Sequence, residues 1–337
     1  MENITPIVDV FVFTFMAFVV SMIWTPFLTN LLYKFKIAKQ IAEKSWDGAE
    51  VPVFQKFHGH KAGTPTMGGL IVVVTTFILT LLFNLDRNQT WLPLFVLVAT
   101  GILGAFDDIS NIRGKGSIKG MGIRSKMLWQ LVITALGAWW FYSKLGFDSI
   151  HFPGVGDFHL GFWYVPFFIF FVVGFMNCVD ITDGLDGLSG GTLSIAFAAF
   201  GVIAYSQGNI LLAIFCATII GSLITFLWFN IHPARFFMGG TGAYALGATL
   251  AVIAFLTNSV VALCIIGALF ILEGSSSLIQ RFSRKFFKKK VFISAPFHHH
   301  LQALGWPETK IVMRAWLLAA VLAIIGMAIG IIGMGVH

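Results

Sequence analysis

Apolar stretches of about the length needed to cross a bilayer follow one another through almost the whole sequence. They fall at about residues 7–33, 67–84, 91–106, 127–145, 162–179, 190–206, 209–229, 242–257, 259–280 and 312–335. In hydrocarbon every backbone amide and carbonyl must be satisfied within its own segment, so each stretch has to run as a helix. Only 11% of the 337 residues are charged and 57% are hydrophobic, against roughly 25% charged in a soluble domain. The expected fold is an all-α integral membrane protein of ten transmembrane helices, a single polytopic domain over residues 1–337. The third stretch is the shortest, and Thr257-Asn258-Ser259 is the whole separation between the eighth and the ninth.

The first stretch has its basic residues after it (Lys34, Lys36, Lys39), the reverse of a cleavable signal, and is read as a retained span. Cys178, Cys216 and Cys264 lie in or beside apolar stretches with no metal or disulfide spacing and read as small hydrophobes. With the N-terminus outside, the loops at about 34–66, 107–126, 180–190, 230–241 and 281–311 face the cytoplasm. Counted with Arg314, that side then holds 20 of the 22 Lys and Arg, leaving Arg87 and Lys144 on the other. This is the positive-inside pattern, and shifting the count by one helix would destroy it. Both termini are therefore expected on the periplasmic or extracellular side, and the net charge of +7 needs no nucleic-acid partner to explain it.

The same arrangement sends five carboxylates to one membrane face: Asp107 and Asp108, and Asp180, Asp183 and Asp186 within residues 177–187 (NCVDITDGLDG). An unpaired charge in hydrocarbon costs several kcal/mol, so these acids must be solvated, paired or bound to a cation. If the helix continues through 177–187, the three aspartates spread over roughly 120° of one face; if Gly184 breaks it, they sit on a loop beside a helix end. Either geometry gathers oxygen ligands for a hard cation such as Mg²⁺. Asp107 and Asp108 are expected to end the third helix, where acids oppose the macrodipole and call for a compensating metal or lysine. Lys61, Lys126, Glu273 and His298, His299 and His300 reach the same face, more than solvated helix ends require.

Other motifs have a plain and a sharp reading. Residues 61–69 (KAGTPTMGG) make a helix start, with Thr64 or Thr66 as cap and Pro65 in the first turn; beside Lys61 they also suit a phosphate. Lys126 alone would be an interface anchor, but at the start of the next helix it can face an anion. The glycines of 236–242 (FFMGGTG) permit close backbone approach. Phe237 can stack on a base, although paired Phe residues before a membrane helix are more often interfacial anchors. The histidine run is a chance feature of a solvated loop or a site for phosphate or proton transfer. Arg284, Lys285 and Lys288 to Lys290 read as an orientation signal and a contact for anionic lipid.

Taken in order, these residues resemble the polyprenyl-phosphate N-acetylhexosamine-1-phosphate transferases. The resemblance is carried by 61–69, Phe106-Asp107-Asp108, Lys126 with Gln130, 177–188 (NCVDITDGLDGL), 237–239 (FMG), Glu273 and 295–307 (APFHHHLQALGWP), and covers nearly the whole chain. TPTMGG and the triple His followed by Gly305-Trp306-Pro307 are specific to the branch that acts on UDP-MurNAc-pentapeptide, whereas the aspartate motifs are shared more widely. The resemblance implies ten spans, a homodimer and a site on the cytoplasmic face of the bacterial inner membrane. It also implies Mg²⁺-dependent transfer of phospho-MurNAc-pentapeptide to undecaprenyl phosphate, giving lipid I and UMP. Asp107, Asp108, Asp183 and His298 would be catalytic, with Asp107 and Asp183 also on the metal. Lys61, Thr66, Lys126, Asn177, Asp186, Phe237, Glu273, His299 and His300 would bind substrate, Phe237 against the uracil.

Four positions depart from that family's pattern. Gly240 stands where the family has a metal-ligating Asp, Asp180 where it has Asn, Asn111 where it has Lys, and Gln302 where it has an acid. Losing a carboxylate at 240 while gaining one at 180 suggests that Asp180 takes over the cation. The alternatives are a weakly active or silent paralogue, a transferase using UDP-GlcNAc, and an ion-coupled transporter, which would place its acids near the bilayer midplane.

Overall fold

The computed structural model describes residues 5–35, 37–38, 61, 63–113 and 121–332. Helices α1 (Thr5–Lys34), α2 (Leu70–Phe83), α3 (Trp91–Arg113) and α4 (Ile123–Lys144) precede an antiparallel hairpin of β1 (Ser149–Phe152) and β2 (Gly156–His159). After it come α5 (Tyr164–Thr182), α6 (Leu188–Ser206), α7 (Ile210–Asn230), α8 (Gly239–Leu256), α9 (Val260–Ile266), α10 (Ala268–Phe286), α11 (Phe297–Ala303) and α12 (Glu308–Ile332). Every expected apolar stretch carries helix. Among the described residues, seven helices (α1, α3, α5, α6, α7, α8, α12) are long and apolar enough to cross a membrane, and α9 with α10 makes an eighth if counted as one bent span. The protein is thus a mostly helical membrane protein.

Several expectations are corrected. Helix α3 does not stop at Phe106 but runs to Arg113, so Asp107 and Asp108 lie within it. The ninth stretch is broken at Gly267, where α9 and α10 meet at 76°. The all-α reading of the fold stands, with one short hairpin among the helices, turned by Pro153-Gly154, in which the Phe152 and Phe158 rings meet at 5.0 Å. Helix α2 starts at Leu70 without a side-chain cap from Thr64 or Thr66. The residues before it pair with another segment instead, through Phe237 N–H to Pro65 O, Gly68 N–H to Phe237 O and Gly69 N–H to Met238 O. The loop expected over 281–311 contains the end of α10, all of α11 and the start of α12; most of the loop at 34–66 lies outside the described residues.

Helix α8 is the pillar around which the others stand: every residue from Gly239 to Phe255 is buried. Its small residues let backbones approach closely, as membrane helices require where no hydrophobic effect drives them together. A Cβ on Gly104 of α3 would run into the Gly240 carbonyl, and one on Gly69 would run into Gly242. At the far end, Phe255 lies 4.7–6.2 Å from the rings of Phe141, Tyr164, Phe167, Phe168 and Phe171. Buried hydroxyls tie α1 to its neighbours, Ser21 Oγ donating to Thr225 Oγ1 at 2.7 Å and Trp24 Nε1 to Thr75 Oγ1 at 2.9 Å.

Candidate active site

The site is arranged around the five residues 183–187. Helix α5 ends at Thr182, and Gly187 in a left-handed conformation (φ 80°) opens α6, so the chain breaks between them. Asp180 therefore stays on the last turn of α5, while Asp183 and Asp186 leave the break in different directions.

Asp183 turns to the start of α8. The first amides of a helix have no partner inside it, and here carboxylates accept them: Gly239 N–H donates to Asp183 Oδ2 at 3.0 Å, Gly240 N–H to Asp108 Oδ1 at 3.1 Å and Thr241 N–H to Asp108 Oδ2 at 3.0 Å. Thr241 Oγ1 adds a bond to Asp108 Oδ2 at 2.8 Å, and Ser189 Oγ one to Asp183 Oδ1 at 2.7 Å. The charge of Asp108 is thus answered by a helix N-terminus. Asp107 has the lysine that its position called for: Lys126 Nζ is 2.9 Å away, joined by the Tyr244 hydroxyl at 3.1 Å and the Met121 N–H at 3.3 Å. The charges of Asp180, Asp107 and Asp108 all bear on Tyr244, and Lys126 Nζ lies 5.0 Å from the centre of its ring.

This group suits a hard divalent cation. Its donors are carboxylate oxygens, each with lone pairs beyond the hydrogen bonds named. The buried Thr66 Oγ1 adds a hydroxyl with no hydrogen-bond partner among the described residues. Gly239 (φ 73°) leaves open the space its Cβ would fill against Thr66 Oγ1 and Asp108 Oδ2. Gly240 offers no side-chain ligand. A Cβ there would meet its nearest neighbours at 3.4–3.6 Å, with Asp108 Oδ1 among them, so the space around Gly240 is not closed to a side chain.

Asp186 belongs to a second group. Lys61 Nζ lies 2.7 Å from Asp186 Oδ1 and 2.6 Å from Glu308 Oε1, and His232 Nδ1 is 3.0 Å from Asp186 Oδ2. Burial pushes the Asp186 carboxyl up, but the Lys61 hydrogen bond and charge, the Ala234 N–H and His232 outweigh it and hold the group below the usual carboxylate range. Asp186, His232 and Glu308 place ligand atoms within 4.8 Å of one another, as a metal site would. The Lys61 ammonium already sits among them, 5.9 Å from the Phe237 ring.

A third group backs the loop. His298 is buried, and Glu273 Oε2 accepts from its backbone N–H at 3.2 Å and meets its Nδ1 at 3.0 Å. His298 Nε2 is buried with no hydrogen-bond partner among the described residues and faces Gly184, where any Cβ would collide with it. His299 Nδ1 contacts Gln302 Oε1 at 2.8 Å, and His300 lies among the rings of Phe292 and Phe297. Asn177 forms a reciprocal amide pair with Gln130, at 3.0 and 3.4 Å, joining α5 to α4.

The structure therefore brings Asp107, Asp108, Asp183, Thr66 and Lys126 together, sets Lys61, Asp186 and Phe237 beside them, and places Glu273 and His298 behind the loop. Sequence reasoning missed Glu308, His232, Tyr244 and Ser189. Glu308 was visible only as an acid after Pro307 at a helix start, and Tyr244 as one turn from Gly240 inside an apolar stretch.

A glycosyl transferase family 4 profile matches residues 90–258. The phospho-N-acetylmuramoyl-pentapeptide-transferase signature 1 matches residues 61–73. A protein of that name from Geobacillus sp. (strain WCH70) is 39% identical over 320 residues, covering 93% of this chain and 95% of the relative. One from Levilactobacillus brevis is 41% identical over 277 residues, 80% and 85% of the two chains. One from Bacillus subtilis (strain 168) is 37% identical over 320 residues, 93% and 95%.

Proposed function

The chain belongs to the phospho-N-acetylmuramoyl-pentapeptide-transferase family, and from that premise we propose how its site works. It transfers phospho-MurNAc-pentapeptide from UDP-MurNAc-pentapeptide to undecaprenyl phosphate, forming lipid I and releasing UMP. The observation that carries the reading is the meeting of Asp107, Asp108 and Asp183 with Lys126 at one end of α8. A transporter relay would spread such acids along the span.

Both substrates are anionic, so joining them requires positive charge to offset repulsion. The acceptor is a phosphate monoester with a second pKa near 6, mostly ionised at neutral pH, and needs no strong general base. Its oxygen attacks the sugar-linked phosphorus; the new O–P bond forms as the bond to UMP breaks, and UMP leaves with the electron pair. Direct attack is favoured over an aspartyl-phosphate because both Asp108 oxygens already accept hydrogen bonds and make a poor nucleophile. Held by Asp107, Asp183 and Asp180, Mg²⁺ would supply charge neutralisation for the pyrophosphate and the departing UMP. Lys126 and Lys61 meet phosphate oxygens, Phe237 stacks on the uracil, and His298, set by Glu273, serves proton transfer; Thr66, Asn177, Asp186, His299 and His300 complete the substrate site. Ten crossings with both termini outside, supported by the 20 of 22 cations on one side, put this site on the cytoplasmic face, and the assembly is a homodimer.

The test is UMP release by purified protein given both substrates and Mg²⁺, with product analysis against UDP-GlcNAc, alongside Asp180→Asn and Gly240→Asp. Metal-dependent turnover by the wild type that Asp180→Asn abolishes is the expected result. An inactive wild type that Gly240→Asp restores would show that Asp180 does not replace the missing carboxylate.

A further inference from the structure

Glu308 opens α12 with a carboxylate that is only 10% exposed. One of its oxygens, Oε1, accepts both from Lys61 Nζ at 2.6 Å and from the Asp186 backbone N–H at 2.6 Å. Its other oxygen, Oε2, lies 3.9 Å from His232 Nδ1. Asp186 completes the knot: Oδ1 accepts from Lys61, and Oδ2 faces His232 Nδ1 at 3.0 Å and accepts the Ala234 N–H at 3.1 Å. Four segments far apart in sequence meet here: the 61–69 motif, the 183–187 loop, the turn after α7 and the start of α12.

Two carboxylates on one buried ammonium hold it with more negative charge than it carries. Removing Glu308 would leave one carboxylate for one ammonium, so charge balance survives, but the ammonium loses one of the two contacts that fix its place. Both Glu308 oxygens face groups of the protein, so Glu308 is not placed to touch a substrate. Lys61 has three N–H donors and spends two on Asp186 and Glu308, which leaves the third for a phosphate oxygen. We propose that Glu308 is a positioning residue: it fixes the Lys61 ammonium and the Asp186 backbone together, and acts on the nucleotide-sugar site through Lys61. This rests on the transferase reading only for its kinetic consequence; the placement of Lys61 can be tested without turnover.

The first experiment is reductive methylation of the full-length protein in nanodiscs, with the rate at Lys61 followed by mass spectrometry. Glu308→Gln keeps the size and an acceptor for the Asp186 N–H but removes the charge. It is expected to raise Lys61 labelling about tenfold and to leave Lys126 unchanged. Glu308→Asp, which keeps the charge and withdraws it by one methylene, gives an intermediate rate and serves if the first variant does not fold. Lys61 as protected in both variants as in the wild type would overturn the proposal.

The second experiment is a double-mutant cycle on UMP release and donor binding. Glu308→Gln raises the donor KM about tenfold with kcat within about threefold, and has no further effect on donor binding in a Lys61→Met background. An equal loss in both backgrounds would mean that Glu308 acts independently of Lys61. A wild type without UMP release would sink the transferase reading and leave the labelling result standing.

Discussion

At its Gly239 end α8 is met by carboxylates that accept its first three amides, whereas near its Leu256 end Phe255 is enclosed by five aromatic rings. The rings contribute buried area and edge-to-face contacts, which tolerate exchange of one ring for another. The carboxylates act through single atoms at hydrogen-bond distance, where a change of one atom leaves a buried donor without a partner. One helix thus joins a region that holds the fold through bulk to a region that holds chemistry through direction.

Asp108→Ala should break the polar end most severely. It strips the acceptor from two amides and a hydroxyl, and UMP release per folded molecule should fall by more than about 100-fold, with a stability loss of about 3–5 kcal/mol in thermal unfolding. Phe255→Ala should sharpen the contrast: a loss of about 3–5 kcal/mol with donor KM and turnover per folded molecule unchanged. If turnover falls in proportion to stability in both variants, the two ends are not functionally distinct.

Acid should separate the ends as well. The folded Asp186 carboxyl lies below its ordinary value of about 3.9. Its contribution is therefore complete above that value and is lost as pH falls through it toward the depressed folded value. In a thermal-midpoint series, wild type should exceed Asp186→Asn at neutral pH and converge with it in acid, while Phe255→Ala shows the same deficit throughout. The smallest effect is expected from Phe152→Ala in the hairpin, under about 1 kcal/mol and with UMP release untouched.

The ten helical stretches were legible because hydrocarbon forces helix on any long apolar run, and the gathering of acids was legible because lysine and arginine mark one side. The continuation of α3 past Phe106 was not. Its two aspartates are compensated by Lys126, Tyr244 and the amides of Gly240 and Thr241, partners that only the folded chain brings near. The split of the ninth stretch turned on Gly267, one glycine in an apolar run, which costs little in an unbroken helix and gives no signal of a bend. Glu308 and His232 were hidden for the same reason as the partners of Asp108: their meaning lies in contacts with residues far away in the sequence, Glu308 with Lys61 and Asp186 and His232 with Asp186.

The 183–187 link reaches α8 through Asp183, His298 through Gly184 and α12 through Asp186. Surface loops usually accept extra residues at little cost, since doubling a loop's length adds only about 0.6 kcal/mol of closure entropy. This link has no such slack. A residue inserted between Asp183 and Asp186 has to bulge where even a Cβ on Gly184 would collide with His298, so the length of the link is as much a part of the site as its carboxylates.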